Sequence, residues 1–199
     1  MSAAEAQAEV VDLLRVWERR PRHVFHVANL ALQLFDQLTA LHGLGERDRL
    51  VLEAAALLHD IGASGPSRDE HHKESARLIR EHAWRQFTSS EVELMAQIAR
   101  YHRKSLPQGD HEDFAALAPE DQRRVEVLAA LLRIADGLDR THQRRVGLTK
   151  VQVHDDQIVI LLLGAPEADL ERAGADKKAD LARRVFQREV VLLLGTDPG

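Results

Sequence analysis

The sequence contains no cysteine, which excludes disulfides, thiolate zinc sites and cysteine nucleophiles and leaves nitrogen and oxygen as metal donors. A basic excess is also missing: 27 Lys and Arg stand against 32 Asp and Glu, a net charge of −5. General nucleic-acid binders need cations to neutralise phosphates, so that class is disfavoured, although local basic clusters remain. No apolar run approaches the roughly 18 residues of a membrane span. The N-terminal MSAAEAQAEVVDLL has neither the charged start nor the apolar stretch of a signal peptide. The expectation is a soluble, cytoplasmic protein without a membrane partner. Aromatics are scarce, at 4%, and give little sign of a base-stacking platform. Trp17, Trp84 and Tyr101 read as core candidates, and only Tyr101, next to His102, adjoins candidate chemistry.

What is present is helical periodicity. At 199 residues the chain suits one main domain with a small appendage. From about Ala3 to His142, Leu, Ala and Val recur at spacings of three and four. Val10, Leu13, Leu14 and Trp17 form one face; Val27, Leu30, Ala31, Leu34, Phe35 and Leu38 form the next, with Pro21 starting that second helix. Further helices are predicted over Leu44 to Leu58, Glu70 to His82, from an N-cap at Ser89 or Ser90 to His102, and Pro119 to Arg140. GASGPSRDE reads as a loop. Beyond Gly147 the texture changes: LTKVQVHDDQIVILLLG reads as a hairpin turning at His154 to Asp156, followed by a charged helix and the strand REVVLLL. The fold class is therefore mainly α, a helical bundle over 1–146, with an α+β appendage over 147–199.

The chemistry begins with His59 and Asp60, which end the apolar helix LEAAALL. Polar groups beside a core need partners, and a divalent cation would satisfy both. His23, His71 and His72, His102 and Asp136 occur in or beside other helical patterns. One helix presents one face, so a metal site requires donors from several. His23, His59, Asp60 and Asp136 could converge on one ion; His71 or His72, with His102 and a bridging Asp60, could hold a second. Imidazole and carboxylate suit Mn, Fe, Co, Ni or, less clearly, Mg. Such ions make water nucleophilic and offset phosphoryl charge, so His59 and Asp60 are the expected catalytic pair. His26, His42, His82, His111, His142 and His154 read as surface or structural histidines.

That order of residues resembles the HD superfamily of metal-dependent phosphohydrolases. More closely, LLHDIG, HHKESARLIRE, IARYHRK and LLRIADGLDR with the tail resemble the C-terminal half of the exopolyphosphatase and guanosine pentaphosphate phosphohydrolase family. In that family this half follows an actin-like half carrying the phosphatase site, which this sequence does not match; a free-standing module is the expectation. The resemblance implies an HD-type bundle with His23, His59, Asp60 and Asp136 as primary ligands and His72 with His102 as secondary ones. Lys73, Arg103, Lys104, Arg133 and Arg140 lie within about one helical turn of these and are candidate phosphate grips, or else solvated charges. The function expected is hydrolysis of a phosphate ester or anhydride in a nucleotide, guanosine polyphosphate or polyphosphate by a metal-activated water. The alternatives are a non-catalytic module that binds polyphosphate or nucleotide, and a partner of a separate actin-like phosphatase chain. The apolar tail strand also suits a homodimer.

Overall fold

Ser2 starts the first helix by a reciprocal cap: its hydroxyl accepts from Glu5 N at 3.3 Å while the Glu5 carboxylate accepts from Ser2 N at 3.1 Å. In the computed structural model, which describes residues 2–18, 20–65, 68–164 and 168–195, α1 spans Ala3–Trp17 and buries Ala6, Val10, Leu13 and Leu14. Trp17 leaves that face and is 38% exposed, correcting its assignment to the core. Pro21, whose missing N–H costs nothing in a first turn, opens α2 (Pro21–Gln37), followed by the short α3 (Thr39–His42) and by α4 (Glu46–Leu58). The expected loop after Gly62 contains two short 3-10 turns, Ile61–Ser64 and Arg68–Glu70; Pro66 and Ser67 lie outside the described residues.

Next come α5 (His71–Glu81), α6 (Ser89–Arg100), the short α7 (Glu112–Ala115) and α8 (Pro119–Gly137). The cap of α6 is Thr88 rather than Ser89 or Ser90, because Thr88 and Glu91 complete a capping box. α8 stops three residues before the predicted Arg140. The bundle closes where α2, α4, α6 and α8 meet, around Leu30, Leu34, Leu52, Leu58, Leu94, Ile98 and Leu128. Among the described residues no helix is long and apolar enough to cross a membrane.

The appendage follows: β1 (Val146–Val153) and β2 (Gln157–Gly164) form an antiparallel hairpin, then α9 (Asp169–Lys178) and α10 (Asp180–Phe186) lead to β3 (Glu189–Gly195). β3 pairs parallel to β2, with Ile158 opposite Val190 and Ile160 opposite Leu192. Parallel neighbours require a crossover, which the two helices provide. The order is β1-β2-β3, with Ile158, Ile160, Leu162, Val190 and Leu192 buried. A division at residues 1–146 and 147–199 is our proposal for the organisation, yet the appendage leans directly on α8. A Cβ on Gly137 would lie 2.5 Å from the Ala175 Cα, and one on Gly174 would lie 2.8 Å from the Gly137 carbonyl oxygen. Only glycine at these two places allows the backbones of α8 and α9 to approach so closely.

Glu91 also fastens α6 to α4, since Arg47 donates to both of its oxygens and the Thr88 N–H donates to Oε2 at 2.8 Å. The Arg47 guanidinium is the main cause, against the effect of burial and with help from Thr88, of a Glu91 pKa lowered from 4.5 to about 2. A depressed carboxylate stabilises the folded chain fully above its unfolded pKa, and that contribution is lost as pH falls through the folded value. Glu91→Gln should therefore cost about 1–2 kcal/mol at pH 7. Urea melts of both chains should show this gap narrowing as pH falls from 4.5 toward 2.

Candidate metal centre

His59 caps α4, Asp60 follows it, His102 stands just past the end of α6, and His23 and Asp136 lie on α2 and α8. Each is carried to the same region because the apolar run preceding or surrounding it is buried. The outer nitrogen of each of these histidines is then fixed. Nδ1–H of His59 donates to the Ala56 carbonyl at 2.7 Å and Nδ1–H of His102 to the Ala99 carbonyl at 2.6 Å. Nδ1–H of His23 donates to Asp139 Oδ2 at 2.8 Å. Carbonyl oxygens only accept, so the proton of His59 and His102 resides on Nδ1 and Nε2 points inward as the donor atom.

The inner atoms converge. His23 Nε2 and His59 Nε2 lie 3.4 and 3.7 Å from Asp136 Oδ1, and His59 Nε2 lies 3.8 Å from Asp60 Oδ1. His71 Nε2 is 3.1 Å from Asp60 Oδ1 and 3.4 Å from His102 Nε2. Donors bonded to one first-row ion at about 2.0–2.2 Å sit roughly 3–3.5 Å apart, so the spacing suits coordination. Three overlapping groups have their ligand atoms within 4.8 Å of one another: His23, His59, Asp60; His59, His102, Asp136; and Asp60, His71, His102.

The fit to a cation rests on two buried atoms. Nε2 of His23 and Nε2 of His59 are shielded from solvent and make no hydrogen bond, an arrangement that costs free energy unless something else bonds them. Charge points the same way. Burial raises the Asp60 pKa, but the His59 charge and the His71 hydrogen bond dominate and hold it well below the usual range. Burial likewise opposes ionisation of Asp136, yet the Lys178 ammonium and the neighbouring His23 and His59 keep it ionised. Burial pulls His23 down, and the carboxylates of Asp136 and Asp139 outweigh it, raising its pKa to about 9. With no ion the centre answers its carboxylates with protons; a divalent cation would displace them.

His72, expected with His102 as a donor to a second ion, is not in any of these three groups. It is buried on another side of α5, where its pKa drops to about 4 through burial and the nearby charges of His71, Arg100 and Arg103. Adjacent residues on a helix point about 100° apart, so only one of the pair can face Asp60. Tertiary contact selects His71: Gly62 N donates to Ser75 Oγ at 3.0 Å, and a Cβ on Gly62 would fall 2.4 Å from the His71 carbonyl oxygen. His71 stands one turn before that Ser75 tether and shares its side of α5.

Above the cluster lies a cavity of about 310 Å³ whose walls carry Arg20, Arg103, Arg140, His142 and Lys178. It adjoins a second of about 650 Å³ that shares Arg20, Asp60, His71 and Arg103 and reaches Trp17. Of the five cations expected as grips, Arg103 and Arg140 line the first cavity. The other three expected grips are elsewhere. Lys73 is paired with Glu70 at 2.5 Å, and Lys104 lies 3.6 Å from Asp69, both on the outer surface. Arg133 is buried, donating to Asp180 at 2.9 Å and to the Tyr101 carbonyl at 3.0 Å. Sequence reasoning missed Arg20, Asp139 and Lys178. Asp139 had a signal, standing one turn after Asp136; Lys178, 42 residues beyond Asp136, had none. His142, expected to be a surface or structural histidine, stacks on His23 with ring centroids 3.8 Å apart and takes a hydrogen bond from Arg20 Nη1 at 3.2 Å.

Fold and site together define a helical His/Asp cluster protein with a cationic cavity over half-buried carboxylates. The family model of the Ppx/GppA phosphatase, domain III, matches residues 8–173, and the chain belongs to that family. No curated protein matches it in sequence.

The contrast between neighbouring histidines is directly testable. His71→Ala should weaken manganese binding by roughly 10- to 100-fold, whereas His72→Ala should stay within about threefold of the native chain in calorimetric titrations.

Proposed function

We propose that the chain is a divalent-metal-dependent phosphohydrolase acting on a phosphate ester or anhydride. The observation that carries this reading is the pair of buried, unbonded Nε2 atoms of His23 and His59 facing Asp136 beneath an arginine- and lysine-walled cavity. Membership of a phosphatase family supports it. His23, His59, Asp60 and Asp136 would hold one ion, and Asp60, His71 and His102 a second. When bound, such ions supply a water acidified toward neutral pH and offset phosphoryl charge. Mn, Fe, Co, Ni and Mg all accept this donor set to different degrees.

The remaining residues have separable tasks. Asp139, buried and bonded to His23 Nδ1, fixes that ring. Asp60, between the two histidine groups, would ligate and orient the attacking water. Arg103 and Arg140 bind the phosphoryl oxygens, and Arg20 lies at the junction of the two cavities. The family name supports nucleotides, guanosine polyphosphates or inorganic polyphosphate as substrates. A chain without cysteine is compatible with a reducing cytoplasm, the location proposed here. A homodimer through the appendage is supported by the apolar β3, whose Leu193 is 46% exposed.

Phosphate release from nucleotides, guanosine polyphosphates and polyphosphate, measured with manganese, tests this. Release by the native chain should fall by roughly a hundredfold or more in Asp60→Ala and on chelation. No release from any of them by a metal-loaded native chain would sink the enzyme reading and leave a phosphate-binding module.

A further inference from the structure

The last residue of α9, Lys178, stands in the wall of the cavity, and the hydrolase reading gives it no task of its own. Lys178 lines the cavity and donates to Asp136 Oδ2, so one carboxylate is divided: Oδ1 faces the nitrogens of His23 and His59, and Oδ2 faces the ammonium. An ammonium has three N–H donors. Among the described residues Lys178 makes one hydrogen bond, to Asp136, leaving two donors for the cavity it shares with Arg103 and Arg140.

Docking of α9 does not need this lysine. On one side of it, Gly174 and Ala175 meet Gly137 backbone to backbone, and Thr141 Oγ1 donates to Glu171. On the other, Arg133 grips both oxygens of Asp180 at 2.9 Å. These contacts bracket Lys178 and hold its stem in place, which is how a fixed cation is built rather than a solvated one. Lys177, its neighbour, is exposed. A divalent cation on Oδ1 would take over the neutralisation of Asp136, and the ammonium would then have charge to spare for an oxyanion beside it.

We propose that Lys178 binds a phosphoryl oxyanion at the metal centre, so that the C-terminal appendage supplies part of the substrate site. This rests on the hydrolase reading for its placement, but its test is a binding measurement with inorganic phosphate. By calorimetry, Lys178→Gln, which keeps a donor for Asp136 and removes the charge, should weaken phosphate binding by about 10- to 100-fold in the manganese-loaded chain. Manganese content should be unchanged, Lys178→Arg should restore part of the affinity, and Lys177→Ala should leave it within about twofold. In the native chain, independently of any variant, phosphate should protect Lys178 but not Lys177 from acylation, read by peptide mass spectrometry. The proposal is overturned if the native chain does not bind phosphate, if Lys178→Gln binds it equally well, or if the variant's loss is one of manganese, which would make Lys178 only the counter-ion of Asp136. Protection of Lys178 in a chain that releases no phosphate from any substrate would uphold this site and overturn the hydrolase reading.

Discussion

Burying imidazoles and carboxylates together in an apolar bundle is the constraint on which the rest of this structure depends. Each such group must be bonded or it opposes folding. The chain meets that demand from outside inward: backbone carbonyls of Ala56 and Ala99 and the Asp139 carboxylate hold the outer nitrogens. The inner nitrogens of His23 and His59 are left facing Asp136 without a hydrogen bond. Rings fixed in this way are preorganised for a cation, and an ion that bonds them removes the cost of their burial.

The same constraint explains the close fit of the appendage. Asp136 sits one residue before Gly137, where α8 and α9 touch backbone to backbone. That contact delivers Lys178 to the carboxylate, and the Arg133 to Asp180 pair keeps α10 in register with α8. The three-stranded sheet thus serves the centre by carrying a helix rather than by contributing a strand residue.

Much of this was legible in the sequence because it is local. Val24, Val27, Leu30 and Leu34 repeat at helical spacing around His23, and LLHD and LLRIAD place their polar residues after apolar runs, so burial of those runs brings His23, His59, Asp60 and Asp136 together. What was not legible depends on distant contacts. Helical spacing left His71 and His72 open and the resemblance favoured His72, whereas the position of His71 beside Asp60 follows from the contact of Gly62 with Ser75 and the His71 backbone across a loop. Arg133 was read as a phosphate grip because its partner, Asp180, lies 47 residues away. Lys177 and Lys178 look alike in a charged stretch, and only the rotation of α9 against α8 separates them. Trp17 obeys the spacing of its helix but projects beyond the bundle that covers Leu13 and Leu14.

The most direct test of the centre is anomalous diffraction at the manganese edge from crystals grown with the ion. The expected result is a peak bonded to Nε2 of both His23 and His59 and to Asp136, with the outer nitrogens still held by Asp139 and the Ala56 carbonyl. A fully manganese-equilibrated crystal with no peak at those atoms, and both nitrogens still unbonded, would contradict it.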